Sequence, residues 1–136
     1  MTSKLTSDIS EIVVRDLGAL AQEIKDTPLE HLWEVREGVS NSVGTLALHL
    51  CGNLRHFIGH GLGQDDYERD PEAEFGRRDA SKEEILQEIE RTQASTLAAL
   101  TGLSEQDVES AMPITPPRHE GRSIGFFLVQ LCCHLS

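Results

Sequence analysis

Apolar residues recur at three- and four-residue spacing through the first part of the chain. Ile9, Ile12, Val13, Leu17, Leu20 and Ile24 share one side of a helix predicted over residues 7–25. Thr27-Pro28 ends it, and Trp33 falls in the connection that follows. Residues 38–44, rich in Ser, Asn and Gly, read as a loop. A second helix is predicted over residues 43–60, with Ser42 as its N-cap and Gly61 and Gly63 as its stop. Residues 64–80 are charged and contain Pro71 and Gly76, so they read as a long surface connection with room for one short turn. Ser81-Lys82-Glu83-Glu84 is a capping box, because the Ser81 hydroxyl can accept from the Glu84 N–H while the Glu84 carboxylate reaches back. It opens a third helix that runs to Leu100, with Ile85, Ile89, Thr92, Thr96 and Leu100 inward and Gly102 just past its end. Residues 104–112 suit a short helical turn. Pro113, Pro116 and Pro117 then exclude a continuous helix and suit a small extended or hairpin piece over 114–123. The last helix begins near Ser123 and is apolar around nearly its whole circumference, which marks a central or interface helix. It reaches Ser136 with no glycine or polar last turn, so the chain is expected to be cut within that helix.

Four long amphipathic segments and scarce strand formers predict an all-α fold, a four-helix bundle with long connections. A length of 136 residues suits one domain, taken as residues 1–136. Aromatics are only 4%, so the core must consist mainly of Leu, Ile, Val and Ala. Charge narrows the function classes. With 23 acidic against 12 basic residues, the net charge is −11. The only adjacent basic pair, Arg77-Arg78, sits in an acidic stretch, so no nucleic-acid partner and no anionic membrane surface is expected. The polar start carries no signal-peptide pattern, and the longest apolar stretch is too short to cross a bilayer. Cys51, Cys132 and Cys133 do not form a disulfide framework, so reduced thiols and a cytoplasmic setting are expected.

The candidate chemistry lies in histidines. His49, Asn53, His56 and His60 are spaced by four, three and four residues, which places them on one face of the second helix. They cannot all serve one ion, because His49 and His56 are two turns apart, about 10 Å along the axis. On their own residues, His56 and His60 read first as solvated histidines near a helix C-terminus. His49, among Leu48, Leu50 and Cys51, reads first as a satisfied core histidine. His134 lies in the apolar run Val129-Gln130-Leu131-Cys132-Cys133-His134-Leu135 and needs a partner, whether metal, carboxylate or water. Cys132 and Cys133 read as small buried apolar residues rather than ligands.

The order and spacing of these motifs add a family reading. The segment Ser40-Asn41-Ser42-Val43-Gly44-Thr45-Leu46-Ala47-Leu48-His49-Leu50-Cys51-Gly52-Asn53-Leu54-Arg55 resembles the second-helix signature of DinB/YfiT-like proteins. Arg69-Asp70-Pro71-Glu72-Ala73-Glu74-Phe75 fits one branch of that family, and Leu131-Cys132-Cys133-His134-Leu135-Ser136 resembles the start of its last motif. The resemblance spans about the whole chain. It implies a four-helix bundle with a non-standard helix order, often a homodimer, and a divalent metal (Zn or Ni) held by three histidines. The first ligand maps onto His49 and the second onto His134. The third would follow His134 by one turn, a position beyond Ser136. Relatives include enzymes that use low-molecular-weight thiols such as bacillithiol or mycothiol.

The resemblance therefore implies a metal-dependent enzyme that transfers a low-molecular-weight thiol to an electrophilic small-molecule substrate. Asn53 and His56 would contact the metal site's surroundings or the substrate. The alternative is a non-catalytic dimeric bundle, or a small-molecule-binding module with a degenerate metal site. A shared ion requires the His49 and His134 imidazoles to lie within roughly 5 Å of each other. The apolar last helix also predicts a homodimer with that helix near the contact.

Overall fold

A computed structural model describes residues 3–35, 37–38, 41–115 and 120–135, apart from the side chains of His134 and Leu135. Its elements are α1 (Lys4–Asp26), a 3₁₀ turn (Leu29–His31), α2 (Val43–Leu54), a π-helical continuation of α2 (Arg55–His60), α3 (Pro71–Gly76), α4 (Lys82–Thr101), α5 (Glu105–Glu109) and α6 (Ile124–Leu135). The fold is an all-α bundle whose long members are α1, α2 with its π segment, α4 and α6. Helix α4 packs on α1, on α2 and on the π segment, while α6 packs on α1 and α5. No helix among the described residues is long and apolar enough to cross a membrane.

The helix starts follow from local capping. Ser42 accepts from the Thr45 N–H at 3.1 Å. Ser81 accepts from the Glu84 N–H at 3.1 Å, and Glu84 accepts from the Ser81 N–H at 3.4 Å, completing the expected box. Helix α1 starts three residues earlier than its apolar pattern predicts. Ser3 caps it by accepting from the Thr6 N–H at 3.1 Å, and the Ser3 N–H is itself anchored on the Leu103 carbonyl. The amphipathic faces then meet in one core. Leu17, Ile24, Leu32, Leu54, Ile58, Ile85, Leu100 and Leu128 are fully buried there, each stabilising the fold by about 1.5–3 kcal/mol relative to exposure.

The connection over 64–80 lies at the surface as expected, and its one short turn is α3, capped by Asp70 with Pro71 in its first turn; α3 rests on α2 and buries Glu74. The extended piece expected over 114–123 is reduced, among the described residues, to a single bridge between Ala111 and Ser123; residues 116–119 lie outside the described set. Helix α6, apolar around nearly its whole circumference, buries Phe127, Leu128 and Leu131 and leaves Phe126 and Val129 40% and 48% exposed. Cys133, expected to be buried, is exposed, whereas Cys132, one turn after Leu128 on the same side of α6, is half-buried and packs against the core.

Candidate functional site

The site grows from a close approach of α3 to α2. Gly52 stands three residues after His49, on the same side of α2. A Cβ at Gly52 would come within 2.0 Å of Glu74 Oε2. The missing side chain is therefore the space into which Glu74 is folded. Glu74 is 5% exposed, unusual for a carboxylate, and a carboxylate so placed must be paired. Arg69 supplies the charge partner through a two-pronged contact, Nε to Oε2 at 2.9 Å and Nη2 to Oε1 at 3.0 Å.

His49 completes the cluster. Its Nδ1 is 3.2 Å from Glu74 Oε1 and 3.4 Å from Arg69 Nη2. The contact with the carboxylate is the shorter of the two and favours a proton on Nδ1 that is donated to Glu74, the Arg69 guanidinium being already engaged with the same carboxylate. Nε2 is then the basic nitrogen of the ring. The ring also packs against Phe75 of α3, with centroids 4.8 Å apart. Helix α3 thus holds His49 both by a hydrogen bond and by a tilted ring contact.

His49, Asn53 and His56 line one cavity of about 400 Å³. Among the described residues, the wall also includes Phe57 and Arg69, Ile114 and Thr115, and Phe127, Gln130 and Leu131 of α6. The stripe of polar residues on the second helix therefore converges as far as His56. His60 departs from it, and its Nδ1 donates to the Asp65 carbonyl at 2.7 Å. The reason is the π-helical segment at Arg55–His60, whose i→i+5 pairing changes the rotation per residue, so a spacing valid for an α-helix no longer holds. His56 is held below its ordinary pKa by partial burial, then by the nearby Arg69 and His60, so it is not the cationic helix-end histidine that its position suggests.

No cysteine is among the described residues lining this cavity. Burial pushes the Cys51 thiol up to about 12, against an opposing hydrogen bond with Thr92, so it remains a protonated core residue. His134 is on α6, but its side chain lies outside the described residues, and so does its expected approach to His49. Among the described side chains, no group of three His, Cys, Asp or Glu is disposed to hold a metal ion. The donor chemistry of His49 does fit one. Metal-ligating histidines characteristically donate their second ring N–H to a carboxylate, which fixes the tautomer and raises ligand basicity.

A second cavity, about 460 Å³, lies beyond Glu74, between α2, the 67–77 segment and α4. No histidine is among the described residues lining it, and several of its charged residues pair with one another, as Arg55 does with Glu88 and Arg77 with Glu84. Glu74 borders this space and also braces His49, so it stands as the wall between the two cavities.

A family model described as "Protein of unknown function (DUF1572)" matches residues 5–131. The chain belongs to the DUF1572 family. DUF1572 is DinB-like, which agrees with the resemblance at that level, and the match carries no activity with it. No curated protein and no solved structure matches the chain. In this DUF1572 chain, Arg69 and Glu74 are the site residues that the sequence analysis did not single out. Gly52 was the available signal: a glycine inside a helix, on the face of a candidate ligand, invites a close neighbour.

Proposed function

We propose that this DUF1572 chain is a divalent-metal-dependent enzyme of the DinB-like type, with His49 and His134 as ligands of Zn or Ni. Its reaction on this reading joins a low-molecular-weight thiol to an electrophilic small molecule. The observation that supports it is the hydrogen bond from His49 Nδ1 to the buried, arginine-clamped Glu74. A core histidine needs only one partner of any kind. This one has a desolvated carboxylate that fixes its tautomer, beside a cavity large enough for a small ligand.

A divalent ion at such a site would lower the pKa of a bound thiol, so that the thiolate is the species presented to the electrophile. The chain's own contributions are orientation and exclusion of water. Glu74 holds the His49 ring, Arg69 holds Glu74, and Phe57 and Phe127, with centroids 5.2 Å apart, form a dry wall beside the polar groups. The same reading includes a homodimer with α6 near the contact, supported by the exposure of Phe126 and Val129.

Titration of the purified chain with Zn and Ni, followed by calorimetry and elemental analysis, tests the metal site. One ion per chain is expected, with binding abolished by His49→Ala. Glu74→Gln should weaken it about 10- to 100-fold, the usual effect of losing a carboxylate behind a ligating histidine. Undiminished binding by His49→Ala, or failure to bind either ion by a chain that includes the turn after Ser136, would overturn the reading. The non-catalytic, small-molecule-binding alternative then stands, and the polar lining of the same cavity supports it.

A further inference from the structure

We infer that the cavity beside His49 takes an anionic ligand, a carboxylate attached to an apolar body, received by Arg69 and Asn53. The inference rests on the reading of that cavity as the ligand site and names the class of molecule that fills it.

The first argument is charge. The chain carries 23 acidic residues, yet no Asp or Glu is among the described residues lining this cavity, where Arg69 is the one formal charge. Glu74 offsets that charge from behind, outside the lining. The second argument is unspent hydrogen-bonding capacity. Arg69 uses Nε and Nη2 on Glu74. Its Nη1 makes no hydrogen bond among the described residues, and the Asn53 amide makes none either. His56 adds a ring nitrogen in the same wall. The clamp on Glu74 also fixes the guanidinium in place, so a ligand meets a donor that is already ordered.

The third argument is the apolar side. Phe57 and Phe127 face the same space, so the ligand carries a hydrophobic portion as well as its charge. One guanidinium nitrogen and one amide match the two oxygens of a carboxylate. A dianionic phosphate would leave further oxygens that these two groups do not meet.

Calorimetric titration of EDTA-dialysed protein with naphthoate, and with naphthamide as the uncharged counterpart, is the test. Naphthoate should bind about ten-fold more tightly, the return of one charge-assisted hydrogen bond. Asn53→Asp puts a carboxylate of the same shape into the wall without touching the Arg69–Glu74 pair. It should remove the preference for naphthoate, spare naphthamide binding and leave the thermal midpoint unchanged. Arg69→Gln should also remove the preference; if that variant fails to fold, Asn53→Asp carries the result. Equal affinity for the two probes, or an indifferent Asn53→Asp, overturns the inference. Naphthoate binding that appears only after Zn loading and ignores Asn53→Asp overturns it too, while leaving the metal reading intact. A preference for naphthoate in a protein that takes up no metal upholds it, because the inference does not depend on the ion.

Discussion

Gly52→Ala should be among the most damaging small substitutions in this protein. In an ordinary helix interior, alanine is about 1 kcal/mol better than glycine. Here the new Cβ would stand 2.0 Å from Glu74 Oε2, 2.5 Å from its Cδ and 3.1 Å from its Oε1. Distances under 3 Å are not tolerated, and the atoms met are the head of a side chain fixed by Arg69 and His49. Glu74 must therefore leave, which breaks a buried ion pair and uncouples the His49 ring. Separating such a pair costs about 3–5 kcal/mol. After the helix-propensity gain, a net loss of about 2–4 kcal/mol remains. Urea denaturation followed by circular dichroism measures it as a lower midpoint at unchanged slope. A double-mutant cycle locates the cause. In a Glu74→Ala background the clash disappears, so adding Gly52→Ala should be neutral or stabilise by up to about 1 kcal/mol. The argument is refuted if Gly52→Ala costs nothing alone, or costs the same in both backgrounds.

Asp65 accepts hydrogen bonds from Arg55, Ser95 and the Tyr67 N–H; burial opposes its charge, but these bonds outweigh burial and hold its carboxyl below the usual range. A carboxyl depressed on folding stabilises fully above its unfolded pKa and loses that contribution as pH falls through the folded value, so Asp65→Asn should cost about 1–3 kcal/mol at neutral pH. The gap should close below about pH 4, and chemical denaturation across that range that finds a constant gap would refute the assignment. The homodimer proposal predicts twice the 15.0 kDa chain mass in light scattering at micromolar concentration, and Phe126→Ser with Val129→Ser should reduce it to the single-chain value. A single-chain mass for the unaltered protein would refute it.

What was legible in the sequence was whatever depends on neighbours a few residues away. Ser42 and Ser81 announce their helices because a cap needs only the next turn. The apolar stripe of α1 gives its inward face, with Ile9, Val13, Leu17 and Ile24 all buried. His49 and Asn53 were legible as one lining because both stand in α2, and His56, at the second position of the π segment, still faces the same cavity. Glu74 was not. A glutamate in a charged run reads as solvated, and its burial depends on Gly52, twenty-two positions earlier in the chain and visible only once α3 docks. The fate of His60 was hidden for another reason: a π-helical segment has no distinct hydrophobic signature, so the apolar pattern cannot announce the change of pitch. His134 was singled out for its polar ring in an apolar run, and its side chain remains outside the described residues.

The π segment also explains how a long connection can deliver Arg69 with precision. Arg55 is its first residue and binds Asp65 through Nε at 3.1 Å and Nη2 at 3.3 Å, and Glu88 of α4 through Nη1 at 2.8 Å. Its guanidinium lies 4.3 Å from the Tyr67 ring centroid. Ser95 of α4 donates to Asp65 from the other side at 2.6 Å. Residues 65–67 are thus pinned to both the π segment and α4, and only Glu68 separates them from Arg69 in the cavity wall. Asp70 then caps α3 by accepting from the Ala73 N–H at 3.1 Å, and α3 returns Glu74 to Arg69. A seventeen-residue connection would otherwise sample many conformations, and ordering each residue costs about 1–2 kcal/mol. Two anchored points, at Asp65 and at Glu74, leave the Arg69 guanidinium little freedom. The geometry at His49 is therefore set by a chain of contacts that begins where the helix changes pitch, one reason why an irregular backbone turn is retained there despite its poorer hydrogen-bond geometry.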